Sequence, residues 1–140
     1  MFVDTNILVS ARAVGSPHHN AAAGMLARAF QAPEPARISR QIVREYLAVV
    51  TRPQDWADPL TADEAVSDVN RMLNTYQILE DGPTVTSTLL ALLQDTPVGG
   101  RQIHDANIVA TMLAYGERRL LTFNTADFRR FGDRIELISS

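Results

Sequence analysis

The chain has 140 residues, 46% hydrophobic and 21% charged, the balance of one globular domain rather than of a disordered chain. It contains no cysteine, which excludes disulfide scaffolds, zinc fingers, iron–sulfur clusters and thiol nucleophiles. The formal net charge is −3 and all 13 basic residues are arginine, so there is no overall basic footprint for nucleic acid, only scope for local guanidinium contacts to phosphate.

No apolar run approaches the roughly 20 residues of a membrane span. The start, MFVDTN, carries an acid at position 4 and lacks the basic n-region of a signal peptide. A cytoplasmic protein without a membrane segment is the expectation.

In chain order, Phe2 and Val3 read as a short buried strand ending at Asp4, with a helix opening soon after through Ile7 to Val9. Gly15, Ser16 and Pro17 break the chain. His19 to Phe30 is alanine-rich and helical. Arg37 to Ser39 reads as a strand, and Ser39 caps a helix from Arg40 to Val50. Pro53 to Pro59 is a loop. Thr61 with Glu64 three residues on forms a capping box for a helix to about Asn74. Tyr76 to Leu79 is a strand, and Pro83 suits the first turn of a helix to Gln94. His104 to Tyr115 is a helix with Gly116 at its C′ position. Leu120 to Phe123 is a strand, Thr125 to Phe131 a short helix capped by Asn124 or Thr125, and Ile135 to Ile138 a last strand. Alternating strands and helices predict an α/β fold with a mainly parallel sheet and helices on both faces, the site lying beyond the carboxyl ends of the strands.

Four acids draw attention, and three of them, Asp4, Asp105 and Asp127, fall at a strand end or in a helix's first turn, where that edge is expected. Asp4 follows the first strand; by itself it is also an ordinary turn or cap residue. Asp105 lies along the apolar stripe of Val109, Met112 and Leu113, where a carboxylate must be capped, paired or bound to a cation. Glu45 flanks the stripe of Ile42, Val43, Tyr46, Leu47 and Val50, as a solvated edge residue also does. Asp127 falls in a helix's first turn, where the helix dipole alone favours an acid. Carboxylates converging on one edge need a counter-charge, and an oxygen-only donor set selects a hard cation, Mg²⁺ or Mn²⁺. Arg40 and Arg44 beside Glu45, and Arg101 beside Asp105, are candidate phosphate contacts or ordinary solvated charges. Trp56 is expected to close a core edge. Met25, Leu26 and Phe30 belong to the core or to a dimer face.

The segments MFVDTNILVSA, REYLAVVTR, IHDANIVATML and LLTFNTADF together resemble the PIN-domain nucleases, and within them the VapC toxins of toxin–antitoxin modules. The resemblance covers nearly the whole chain. It implies a three-layer α/β/α PIN fold as one domain over residues 1–140. The implied activity is that of a Mg²⁺- or Mn²⁺-dependent endoribonuclease acting on an RNA substrate. It maps Asp4, Glu45 and Asp105 onto metal-binding acids, and Asn6 and Thr122 onto supporting polar positions. An acid frequent in the family is replaced here by Asn124, and Asp127 three residues on is the acid chosen to complete the set. A VapB-type antitoxin and a homodimer are the implied partners. The alternative is a PIN-like module that binds RNA or a partner without cutting.

Overall fold

A computed structural model describes residues 1–140. The elements are β1 (Phe2–Val3), α1 (Thr5–Arg12), α2 (His19–Gln31), β2 (Arg37–Ser39), α3 (Arg40–Val50), α4 (Ala62–Thr75), β3 (Gln77–Leu79), α5 (Pro83–Asp95), α6 (Gln102–Ala114), β4 (Arg119–Leu121), α7 (Thr125–Phe128) and β5 (Glu136–Ile138). A 3₁₀ turn, Arg129–Phe131, follows α7. The strands form one sheet in the order β3-β2-β1-β4-β5, and every pairing is parallel. Helices flank it in the three-layer α/β/α arrangement.

Strands covered on both faces should be apolar throughout rather than alternating. Phe2, Val3, Ile38, Leu79, Leu120 and Leu121 are all buried. They join one cluster of 25 buried residues that includes Ile42 and Tyr46 of α3 and Ile108, Val109 and Met112 of α6. The central register pairs Val3 with Leu121, and the Asp4 amide adds one more bond to the Leu121 carbonyl at 3.0 Å. Successive strands run outward from β1 on one side as β2 and β3, and on the other as β4 and β5. The connection order therefore reverses between β1 and β4. Ligands of parallel sheets bind in the crevice that opens at such a reversal, beyond the carboxyl ends of the strands.

Helix starts follow local chemistry. Asp4 caps α1 by accepting the Thr5 amide at 2.8 Å. Ser39 caps α3, and Thr61 with Glu64 forms the reciprocal capping box of α4. Pro83 opens α5. Gly116, at φ 71°, takes the left-handed turn after α6 that suits glycine. Gly15 is required by close approach, since a Cβ there would stand 2.5 Å from the Trp56 carbonyl oxygen.

Several boundaries differ from expectation. Tyr76 does not enter β3, because its amide closes α4 on the Met72 carbonyl. β4 stops before Phe123, whose amide turns to Asn6 Oδ1 at 3.2 Å. α6 begins two residues early, since turns from Gly99 and Gly100 feed into it. The expected helix over Thr125 to Phe131 splits into α7 and the 3₁₀ turn, and no side chain caps α7. Met25 is core, whereas Phe30 is half exposed.

Away from the strand ends, Asp68 on α4 is 4% exposed. It accepts the Tyr46 hydroxyl at 2.5 Å and Arg12 Nε at 2.9 Å, and pairs with Arg71. Burial and this bond hold the Tyr46 phenol above its ordinary range. A buried carboxylate matched by two guanidinium groups is structurally satisfied.

Candidate metal centre

Asp4 sits at the end of β1 and is 5% exposed. Its Oδ1 accepts the Thr5 amide at 2.8 Å. Its Oδ2 accepts the Thr122 hydroxyl at 2.7 Å and Asn6 Nδ2 at 3.3 Å. Thr122 is fully buried beyond β4, so the two strands at the reversal share this bond. Asn6 also lies 3.4 Å from the Thr122 hydroxyl, and its Oδ1 takes the Phe123 amide. The Asn124 amide donates to Thr122 Oγ1 at 3.0 Å. Asn6 and Thr122 both hydrogen-bond Asp4 Oδ2.

Glu45, on α3, is partly buried. Thr5 Oγ1 donates to its Oε2 at 3.0 Å, and Gln41 Nε2 to its Oε1 at 2.9 Å. Asp105 lies in the first turn of α6 and is partly buried. Asp4, Glu45 and Asp105, with Asn124, line one pocket of about 480 Å³. Val9, Ala48, Val49, Gln54 and Trp56 also line it.

The electrostatics record the convergence. Burial pushes the Asp4 carboxyl up to about 6, and the negative charges of Glu45 and Asp105 add to it, against the lowering bonds from Thr122 and Thr5. Asp105 also rises to about 6, first through burial and then through Asp127 and Glu45; Arg130 and His104 oppose this weakly. No arginine pairs with Asp4, Glu45 or Asp105, in contrast to Asp68. The three acids line the same pocket, and no three of them meet as a closed ligand set. Hard oxygen donors with uncompensated charge fit a divalent cation of the Mg²⁺ or Mn²⁺ kind.

Asp127 is exposed and does not line the pocket, but it is close enough to act on Asp105. Of the arginines singled out from the sequence, Arg40 is engaged with Glu80 at 2.7 Å. Arg44 and Arg101 are exposed. His104 is exposed, His19 Nδ1 bonds the Ser10 carbonyl, and His18 packs on Phe123. Trp56 packs against the core and also walls the acid pocket.

The residues missed from sequence are neutral: Thr5, Gln41 and Asn107. Arg130, an exposed cation near Asp105, was missed as well. Thr5 directly follows Asp4, and Gln41 stands one turn before Glu45 on the same helix face. Those were the available signals.

Comparison with known proteins places the chain's sequence and fold among known relatives. The chain is 28% identical over 133 residues to Ribonuclease VapC24 of Mycobacterium tuberculosis, covering 93% of this chain and 90% of the relative. Its fold is similar to that of M. tuberculosis VapC20, a sarcin–ricin loop cleaving toxin (TM-score 0.70, 17% identity, 91% of this chain and 92% of the other). It is also similar to a toxin–antitoxin complex from Klebsiella pneumoniae (TM-score 0.69, 21% identity, 99% and 95%). VapBC2 from Rickettsia felis, solved on a promoter DNA fragment, is a third (TM-score 0.66, 20% identity, 99% and 98%). The PIN domain family matches residues 1–134, and the chain belongs to that family.

Proposed function

We propose that this chain is a Mg²⁺- or Mn²⁺-dependent endoribonuclease, the toxin of a VapBC-type module, working as one PIN domain in the cytoplasm. The observation that carries the reading is the buried Asp4 at the sheet's reversal point, sharing a pocket with Glu45 and Asp105 while none of the three is in an ion pair. The ribonuclease name of the VapC24 relative and the toxin–antitoxin complexes among the fold neighbours support it.

Asp4, Glu45 and Asp105 would hold the cation, with Asp127 and Asn124 at the rim. The bound ion would neutralise charge on the scissile phosphate and lower the pKa of a water. The protein's own residues do the positioning. Thr122, Asn6 and the Thr5 amide fix both oxygens of Asp4. Thr5 Oγ1 fixes Glu45 and so couples the two acids. Exposed Arg44, Arg101 and Arg130, none in an ion pair within the chain, are suited to the RNA backbone. A VapB-type antitoxin and a second copy of the chain are the proposed partners.

Purified protein incubated with a mixed pool of structured RNAs is expected to give discrete fragments with Mg²⁺ or Mn²⁺ and none with EDTA. RNA or partner binding with no cleavage under any divalent ion, once a co-purified antitoxin is removed, would overturn the reading in favour of a binding module.

A further inference from the structure

Gln41 is 6% exposed and lies on α3, one turn before Glu45. A buried amide is costly unless its donors and acceptor are satisfied, and here all are. Nε2 donates to Glu45 Oε1 at 2.9 Å and to the His104 carbonyl at 2.9 Å. Oε1 accepts from Asn107 Nδ2 at 2.9 Å. Asn107 Nδ2 also donates to Asp81 Oδ2 at 3.2 Å.

The direction of this chain follows from its fixed ends. A carboxylate and a main-chain carbonyl only accept hydrogen bonds. Asp81 therefore turns the Asn107 amino group toward itself and Gln41. Gln41 must then present its oxygen to Asn107 and its amino group to Glu45 and His104. Reversing the Gln41 amide would set its oxygen against the oxygens of Glu45 and His104. Each link selects the same orientation of the next.

The two ends of this network belong to different helices. Glu45 is on α3, whereas His104, Asp105 and Asn107 are on α6. From this arrangement we infer that Gln41 is a positioning residue for the acid cluster, a neutral clamp that fixes Glu45 of α3 relative to the Asp105 turn of α6. The inference rests on the metal-dependent reading above. Asp68 is held by two guanidinium groups, which cancel its charge. Glu45 is held by an amide and a hydroxyl, which fix both of its oxygens and leave its charge for a cation. Donors behind a metal-binding side chain typically govern metal affinity or activity by about 10- to 100-fold.

The test is Mn²⁺ binding by calorimetry on RNA-free protein, for wild type, Gln41→Met, Asn107→Ala and Tyr46→Phe. Gln41→Met keeps most of the volume and removes every polar contact. Its Kd for Mn²⁺ is expected to rise about 10- to 100-fold. Cleavage should recover toward wild type as Mn²⁺ is raised. Asn107→Ala frees the Gln41 amide without touching Glu45 and should raise Kd by a smaller factor; it also serves if Gln41→Met fails to fold. Tyr46→Phe, which loses a buried bond on the same helix, should lower Tm and leave Kd unchanged. Lowered Tm with wild-type Mn²⁺ affinity in both Gln41→Met and Asn107→Ala would overturn the inference while leaving the metal-dependent reading intact. A wild-type protein that binds no Mn²⁺ would overturn both.

Discussion

Asp4→Asn is expected to abolish cleavage while leaving the metal-free protein more stable than wild type. The two effects share one cause. Asp4 is buried, and its carboxyl is pushed up to about 6 from 3.8. Keeping it ionised at neutral pH without a cation costs about 3 kcal/mol. Asparagine has the same shape and no charge. Its oxygen can still accept the Thr5 amide. Its amino group removes the acceptor of the Thr122 hydroxyl and of Asn6 Nδ2, a loss of about 1 kcal/mol per bond that offsets part of the gain. Thermal unfolding in EDTA should therefore show Tm raised by a few degrees. Loss of a cation's several kcal/mol of transition-state stabilisation should reduce cleavage at least about 10²-fold. Wild type should also gain about 2.7 kcal/mol from Mn²⁺ at 100 times its Kd, whereas the variant gains nothing. A lowered Tm for Asp4→Asn would mean that the carboxylate is held for the fold and not for a ligand.

Mn²⁺ affinity should rise steeply as pH passes through about 6. Asp4 and Asp105 both titrate near 6, each raised chiefly by burial, with Glu45 and Asp127 adding negative charge and Arg130 and His104 opposing. Both keep their protons in the folded state at a pH where the unfolded chain, at 3.8, has lost them. Their contribution to metal-free stability is therefore greatest below about 4, declines as pH rises to about 6, and is level above that. A cation must displace those protons, so below about 6 affinity should fall about tenfold per pH unit for each proton displaced. The two acids titrate as a coupled pair, so the steepness reports the pair. Calorimetric Kd values between about pH 5 and pH 7.5 check this, and Asp105→Asn should flatten the dependence. Affinity that does not change over that range would contradict the burial of ionised acids as the organising feature of the site.

The alternation of apolar strands with helices was legible because both signals are local. Phe2-Val3 and Leu120-Leu121 are short apolar pairs that only a doubly covered sheet accommodates. Thr61, Ser39 and Pro83 carry their helix starts in their own chemistry. The acids stand out in the sequence because a carboxylate at a strand end or on an apolar stripe is conspicuous. Their neutral supports do not. Gln41 looks like any polar helix residue until His104 and Asn107, 63 and 66 residues away, are folded against it. Arg40, on the same helix as Glu45, is open in the sequence to a phosphate contact or an ordinary ion pair, and the fold selects the ion pair, with Glu80 beyond β3. The end of β4 was overestimated because Phe123 is apolar, while the Asn6 side chain that captures its amide comes from the other end of the chain.

The most direct test of the account is the position of Mn²⁺ in crystals soaked at concentrations that support cleavage, read from its anomalous signal. The account predicts a peak in the pocket of Asp4, Glu45 and Asp105, bonded to Asp4 and Asp105 directly or through water, and absent in Asp4→Asn. Ordered Mn²⁺ only at other sites, or no ordered ion in crystals of protein that cleaves RNA under the same conditions, would contradict it.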